Sequence, residues 1–173
     1  MFAAGFRSLA LLAAALLPAL PAATSSTFQD PHGAFSMPIP AGWTSDTPKF
    51  HGAGASSGTA FITIFYIDNA DAYPGLLDKF KGLIWNQYKD HRLLRTGAAQ
   101  LGNAAAAGRF EVYSGTRKQS GAEGIVRMVT AQVGSDDVLM LLSSPTVDWN
   151  KFKTDFGTME HGVRFRDSVN GRR

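Results

Sequence analysis

The pattern of apolar and polar positions predicts two kinds of β-strand. In residues 35–39, apolar side chains alternate with serine and proline, as in a strand with one buried face. Because Pro38 and Pro40 cannot donate a backbone hydrogen bond, we expect this strand at a sheet edge. Residues 59–68 and 138–143 are apolar on both faces, which indicates strands covered on both sides. The chain is therefore expected to contain a sheet with a layer on each face.

Two stretches show the spacing of amphipathic helices. The first is predicted from Tyr73 to His91, with an apolar stripe at Leu76, Leu77, Phe80, Leu83, Ile84 and Tyr88. The second is predicted to begin at Pro145 or Thr146, with Gly162 as its C-cap. Its apolar stripe consists of Trp149, Phe152, Phe156 and Met159.

Short turns separate the strands that follow the first helix. Candidate strands cover 92–101, 106–119 and 125–133 and lead into 138–143, which predicts an antiparallel meander. In contrast, residues 44–58 are rich in Gly, Ser, Thr and Pro. We predict a mobile loop there.

The N-terminal residues have the pattern of a secretory signal peptide. A charged start, a short Leu/Ala run and small residues beyond a proline place it at residues 1–23, with the cut between 22 and 25. The apolar run is too short for a membrane span, which needs about 20 residues. We therefore expect an exported protein, periplasmic or secreted and most typical of bacteria. It would have a polar segment at 24–33, one domain at 34–166 and a polar tail at 167–173.

Composition excludes several classes of site. The chain has 17 Lys and Arg against 14 Asp and Glu, and loss of Arg7 with the signal leaves it only mildly basic. Without a clustered basic stripe we expect no nucleic-acid partner. The chain has no cysteine, which rules out disulfides, thiolate metal sites, a cysteine nucleophile and a lipidated cysteine.

The chain contains one match to a catalytic motif, but the structural context that the motif requires is not predicted around it. Residues 54–58 match G-x-S-x-G, which in hydrolases places the serine on a turn between a strand and a helix. Here a glycine-rich segment precedes the motif and a strand follows it. A serine hydrolase using Ser56 or Ser57 is therefore the least favoured hypothesis.

The other polar residues give no metal or cofactor signature. His32, His51, His91 and His161 lack ligand spacing, so we predict neither a metal site nor a cofactor. Two groups remain as candidate binding residues, one in segment 49–58 and one on the meander. They are Lys49, His51, Ser56 and Ser57, and Arg109, Arg117, Lys118 and Arg127.

The order of elements resembles a known architecture. Phe35-Ser36 is followed by Pro40-Ala41-Gly42-Trp43, then the first helix, and the strand 138–142 leads to Phe152 and Phe156. This arrangement resembles the α/β/α sandwich of the PsbP extrinsic photosystem subunits, a yeast Ran-binding import factor and bacterial DcrB-like proteins. The resemblance implies an α+β fold, with a central, mostly antiparallel sheet and helices packed on both faces. It also implies a binding or assembly module, and it carries no catalytic residues over.

Three functional hypotheses follow. The first is an exported, non-enzymatic binding or assembly module with a protein partner in the cell envelope. The alternative is a periplasmic protein that binds a small molecule or metal near segment 49–58, and a serine hydrolase ranks last. Independently of these hypotheses, Trp43 is expected to be buried and structural, because it lies at a strand end among apolar neighbours.

Overall fold

Ten strands, two α-helices and two short 3-10 helices (Ala70–Ala72 and Thr146–Asp148) lie in the part of the chain that the computed structural model describes, residues 25–104 and 108–166. The predicted signal peptide and polar tail lie outside these residues. The strands are β1 (Ser26–Gln29), β2 (Phe35–Ile39), β3 (Thr44–Asp46), β4 (Gly52–Ser57), β5 (Ala60–Ile67), β6 (Tyr88–Ala99), β7 (Gly108–Arg117), β8 (Glu123–Val133), β9 (Asp136–Pro145) and β10 (Arg164–Phe165). The helices are α1 (Leu76–Trp85) and α2 (Trp149–Gly162).

A seven-stranded antiparallel sheet forms the centre of the molecule. Its strand order is β3-β4-β5-β9-β8-β7-β6, so β6 to β9 are neighbours in chain order. This arrangement confirms the predicted meander. With α1 on one face and α2 on the other, the α+β prediction is also confirmed.

The two central strands are covered on both faces, as their sequences indicate. On β5, Phe61 and Phe65 pack with α1, whereas Ile62 and Ile64 belong to the core on the opposite face. The next strand in the sheet, β9, divides in the same way. Its Leu139 side chain lies in the α1 core, and its neighbours along the strand lie in the α2 core.

A second, three-stranded sheet completes the layer on the α2 face. Its order is β1-β2-β10, so the edge position predicted for β2 is wrong. The prolines are tolerated because β10 is only two residues long and pairs with Phe35 and Ser36, ending before Pro38. The polar segment 24–33 contributes β1 to this sheet, with Phe28 as its buried side chain.

The loop predicted over 44–58 is wrong, because this stretch contains β3 and β4. Gly52 is required there by close packing between strands, because a Cβ on it would collide with the backbone carbonyl oxygen of Ile64. A Cβ on Gly54 would meet only the end of the exposed Asp46 side chain, which can move aside. Gly52 therefore permits the close approach of β4 to β5.

The first helix is shorter than predicted. It ends at Trp85, after which residues 86–87 turn the chain and Tyr88 begins β6. Tyr88 continues the helical spacing of the apolar stripe, but its buried ring enters the same core from the sheet. The last helix and its apolar stripe are confirmed, with Phe152, Phe156 and Met159 buried.

Trp43 is buried, as predicted, and joins the two sheets to α2. The exposed fraction of its side chain is 8%. Its ring packs edge-on against Phe152 and Phe156, and its Nε1 donates a hydrogen bond of 2.8 Å to Asp155 Oδ2.

Candidate functional site

An open groove of about 610 Å³ lies between α2 and strands β6 to β8. It exists because α2 packs over β2 and β9, while β6 and β7 extend the sheet beyond the helix. Small residues keep it open, since Ala99 lines the sheet side and Gly157 lines the helix side. A Cβ added to Gly157 would meet no heavy atom within 4 Å. We call this feature the α2 groove, and its size suits a ligand or a short peptide.

The floor and helix wall of the α2 groove are apolar. Val112 and Ile125 line it from the sheet, and Trp149 and Phe156 line it from α2. At the outer lip Leu94 is 47% exposed, an unusual exposure for a large aliphatic side chain beside a cavity. Apolar surface of this kind gains free energy when a partner covers it.

A buried ion pair connects the sheet to α2 at the base of the groove. Arg127 Nε and Nη2 donate to the two carboxylate oxygens of Glu160 at 2.8 and 2.7 Å. The exposed fractions of the two side chains are 16% and 5%. The Arg127 guanidinium also lies 4.2 Å from the ring centre of Phe110. The pair holds α2 at a fixed distance from β8 and neutralises the carboxylate at the groove.

Further cations lie around the groove. Arg95 stacks on Phe110 from β6, with its guanidinium carbon 5.1 Å from the ring centre. Lys153 and His161 line the groove from α2, and both residues are exposed. Since Glu160 is engaged by Arg127, the potential at the rim is positive.

The groove residues are suited to binding. Among the described residues that line it there is no Ser, Thr, Cys or Tyr, and its acidic group is held by Arg127. The lining offers apolar contact together with attraction of negative charge.

A second polar cluster fastens the small sheet to the large one. His51 lies between two carboxylates, with Nδ1 2.7 Å from Asp68 Oδ2 and Nε2 3.1 Å from Asp30 Oδ2. Asp30 is buried, and its Oδ1 has no hydrogen-bond partner among the described residues. We call His51, Asp30 and Asp68 the His51 clasp. Nearby, Tyr66 Oη donates to Asp136 Oδ2 at 2.9 Å.

The geometry of the clasp favours a protonated histidine. A neutral imidazole has one N–H, so donation to both carboxylates requires the imidazolium form. Burial by itself lowers the pKa of His51, but hydrogen bonds and charge from Asp68 and Asp30 outweigh it and raise the pKa above 6.5. Burial and the hydrogen bond to Asp136 raise the pKa of Tyr66 far above its usual range, so its hydroxyl stays protonated.

The raised pKa of His51 predicts a pH-dependent stability. The clasp contributes fully below the unfolded-state pKa near 6.5 and loses its contribution as pH rises through the higher folded-state pKa. Urea unfolding of the wild type and of His51→Gln between about pH 5 and 8 measures this contribution. We expect the wild-type free energy of unfolding to fall as the pH rises above the unfolded-state pKa of His51. The fall should be smaller in His51→Gln. His32, whose ring lies 4.6 Å from that of His51, provides the control as His32→Gln. Equal slopes for the wild type and His51→Gln would contradict the assignment.

The candidate binding residues of segment 49–58 do not form a single site in the structure. His51 belongs to the clasp, Lys49 is exposed, and Ser56 and Ser57 lie on β4. Within the described residues, neither serine hydroxyl has a hydrogen bond to a base. The strand geometry of β4 gives a nucleophile elbow no support.

The four basic candidates of the meander do not form one patch. Arg127 faces α2 with its cross-strand partner Val112, whereas Arg109, three residues from Val112 on β7, faces the α1 side. Arg117 lies at the other end of β7 and donates to Tyr88 Oη at 3.1 Å and Ser143 Oγ at 2.9 Å. Lys118 is exposed beyond the strand. Of the four, only Arg127 lines the α2 groove.

Sequence reasoning missed the other groove residues, although one signal was present. Arg127 interrupts an apolar strand, and Glu160 follows Phe156 by four residues on the buried stripe of α2. A charged residue among apolar residues that are expected to be buried needs a partner, so one basic and one acidic residue of this kind indicate a buried ion pair. Arg95 and Lys153 carried no such signal, because charged residues are ordinary on exposed strands and helices.

Two other kinds of feature are absent from the described ranges. In residues 25–104 and 108–166, no three histidine or carboxylate side chains are grouped so that they could hold a metal ion. Neither described helix is long and apolar enough to cross a membrane.

No protein-family model and no curated protein sequence matches the chain, but solved structures share its fold. Cyanobacterial PsbP (CyanoP) from Synechocystis sp. superposes with a TM-score of 0.55 at 10% identity, covering 87% of this chain and 97% of that one. The Ran-binding protein Mog1p of Saccharomyces cerevisiae gives 0.54 at 10% identity, with coverages of 84% and 97%. LpqN, involved in cell envelope biogenesis of Mycobacterium tuberculosis, gives 0.50 at 12% identity, with coverages of 81% and 89%. The fold expected from the sequence resemblance is confirmed, and at these identities the likeness concerns the fold alone.

Proposed function

We propose that this chain is a non-enzymatic binding module that acts in the cell envelope after export and contacts a protein partner through the α2 groove. The observation that carries the proposal is the open groove itself, with an apolar floor, a basic rim and no Ser, Thr, Cys or Tyr among the described residues that line it. Such a surface is suited to binding.

Two further observations support the proposal. The N-terminal pattern is typical of a secretory signal, which supports export of the mature chain. Proteins of the same fold include one described as Ran-binding and one involved in cell envelope biogenesis, so the scaffold accommodates such roles.

Site-specific photo-crosslinking in the envelope tests the proposal. Benzoylphenylalanine replaces Leu94 at the groove lip, and Ser56 on β4 serves as the control position. We expect a discrete crosslinked protein from position 94 and none from position 56. A processed N-terminus between residues 23 and 26, read by mass spectrometry, tests export separately.

A matched pair of variants tests whether the groove is the contact. Gly157→Phe fills the groove from α2, and Gly82→Phe places the same side chain on α1, on the opposite face of the sheet. Neither Cβ meets a heavy atom within 4 Å, so both variants should fold. We expect Gly157→Phe to abolish the crosslink and Gly82→Phe to retain it. A crosslink that survives Gly157→Phe would place the contact elsewhere.

A second candidate function is the binding of a small molecule beside the His51 clasp. A cavity of about 260 Å³ lies there, lined by Phe50, His51, Tyr66 and Asp68 among others. A thermal-shift panel of small molecules and cations tests it, because a ligand that binds only the folded state raises the unfolding temperature. A response that His51→Gln removes would support this site, and a flat response would retire it.

A further inference from the structure

We infer that the partner presents to the α2 groove a short, extended segment in which acidic side chains stand next to apolar ones. This inference rests on the proposed function, since it specifies the chemistry of what the same groove receives. It is carried by the apolar surface of the groove, by the unpaired cations on its two walls and by the length of the groove along α2.

The apolar part of the segment follows from the groove floor. Ile125 and Trp149 are partly exposed in the groove, and Leu94 at its lip is largely exposed, so they present carbon surface to a cavity that is open to solvent. A peptide made only of charged residues would leave this apolar surface exposed to water. Apolar side chains that reach the floor gain free energy by removing it from water.

The acidic part follows from the charge that remains at the rim. Glu160 is the groove's only described carboxylate, and both of its oxygens are occupied by Arg127. Arg95 and Lys153 have no described carboxylate within ion-pairing distance. A segment with negative side chains satisfies these groups, whereas a basic segment would meet unopposed repulsion.

The spacing of the cations favours a polypeptide over a single-headed amphiphile. The two rim cations without a described carboxylate beside them, Arg95 and Lys153, lie on opposite walls of the groove, on β6 and on α2. A fatty acid brings one charge to one end of its chain. A peptide can place carboxylates at several points along the groove.

The length of the segment follows from the helix wall. The groove extends from Trp149 to His161, twelve residues of helix or about 18 Å. An extended chain rises about 3.3 Å per residue, so five or six residues cover this distance. Alternate side chains of such a segment point to opposite sides, so apolar groups can face the floor while acidic groups face the rim.

Selection from a displayed library of random hexapeptides tests the inference and requires no identified partner. The library is selected on the wild-type protein after depletion on Gly157→Phe, so that only groove-dependent peptides remain. We expect the enriched peptides to combine Asp or Glu at two or more positions with apolar residues between them. Their binding should weaken with added salt, because exposed charges are screened.

A charge-swap variant tests the electrostatic part with the enriched peptide as probe. Arg95→Glu combined with Lys153→Glu should weaken binding at least about tenfold in fluorescence anisotropy. Both residues are exposed, so thermal unfolding of the double variant should match the wild type. Lys118→Glu changes charge at an exposed position outside the groove and should bind as the wild type does.

Three results would overturn the inference. The first is that no peptide distinguishes the wild type from Gly157→Phe. The second is that the enriched peptides are neutral or basic. The third is that dodecanoate, tested in parallel, binds in the groove while no peptide does, which would identify an amphiphile. If any of these results is found but the crosslink from position 94 still depends on the groove, the proposed function stands and only the inference about the peptide fails. If acidic peptides are enriched but position 94 gives no crosslink, the inference stands and the envelope protein partner is contradicted.

Discussion

Trp43→Ala is expected to lower the free energy of unfolding by about 3–5 kcal/mol. The indole is buried where the chain leaves β2 for β3, and it packs edge-on against Phe152 and Phe156 of α2. Its removal leaves a cavity between the helix and the two sheets. It also leaves Asp155 without the N–H that donates to it.

Urea unfolding followed by circular dichroism measures this loss. Trp43→Phe keeps most of the ring contact but removes the hydrogen bond to Asp155. Loss of that hydrogen bond should lower the free energy of unfolding by about 1 kcal/mol, in addition to the effect of the smaller ring on packing. Asp155→Ala removes the acceptor and tests the hydrogen bond from the other partner. A loss below about 1 kcal/mol for Trp43→Ala would show that the indole carries little of the packing between α2 and the sheets.

Arg127→Met is expected to lower the free energy of unfolding by about 3 kcal/mol. The substitution leaves the Glu160 carboxylate, which is 5% exposed, without its two guanidinium hydrogen bonds. The expected cost is at the lower end of the range for buried pairs, because Arg127 itself is 16% exposed at the groove and partly solvated.

The double variant separates the cost of an unpaired charge from the value of the pair. Arg127→Met with Glu160→Met replaces both charges by apolar side chains, so we expect stability close to that of the wild type or above it. The coupling energy comes from a double-mutant cycle in urea. If the double variant is as unstable as Arg127→Met, the loss comes from packing on Phe110 rather than from the stranded carboxylate.

Local patterns predicted the centre of the fold. The continuous apolar runs of β5 and β9 indicated strands covered on both sides, and both divide their side chains between the α1 and α2 cores. The stripe through Phe152 and Phe156 predicted the last helix. These features are local because each depends on periodicity within a single element.

The errors arose where a distant partner decided the structure. Gly52 and Gly54 resemble loop residues in the sequence, but both lie on β4, where Gly52 permits close approach to the backbone of Ile64 on β5. Pro38 indicated an edge strand, but β2 is central because β10 returns from the far end of the chain to pair with it. Tyr88 fits a helix and also fits the first position of a strand, and periodicity alone could not separate the two.

The candidate site was less predictable than the fold. Arg127 was selected as one of several basic residues, but its partner Glu160 lies 33 positions away and is brought to it only by packing of α2. His51 was selected without its carboxylates, since Asp30 and Asp68 come from different segments. Sequence patterns give the residue types of such a site, and the tertiary fold gives their partners.

The position of β10 has a consequence for the order in which the molecule can be completed. Phe165 pairs with Phe35, and Asn103 exchanges two hydrogen bonds with the backbone of Phe165, at 3.0 and 2.6 Å. Closing so long a loop costs conformational entropy before any contact compensates it, and contacts of this range slow folding. The small sheet is therefore finished only after the last strand has been synthesised. A chain cut before Arg164 would keep every strand of the meander and still leave β2 with an unpaired edge.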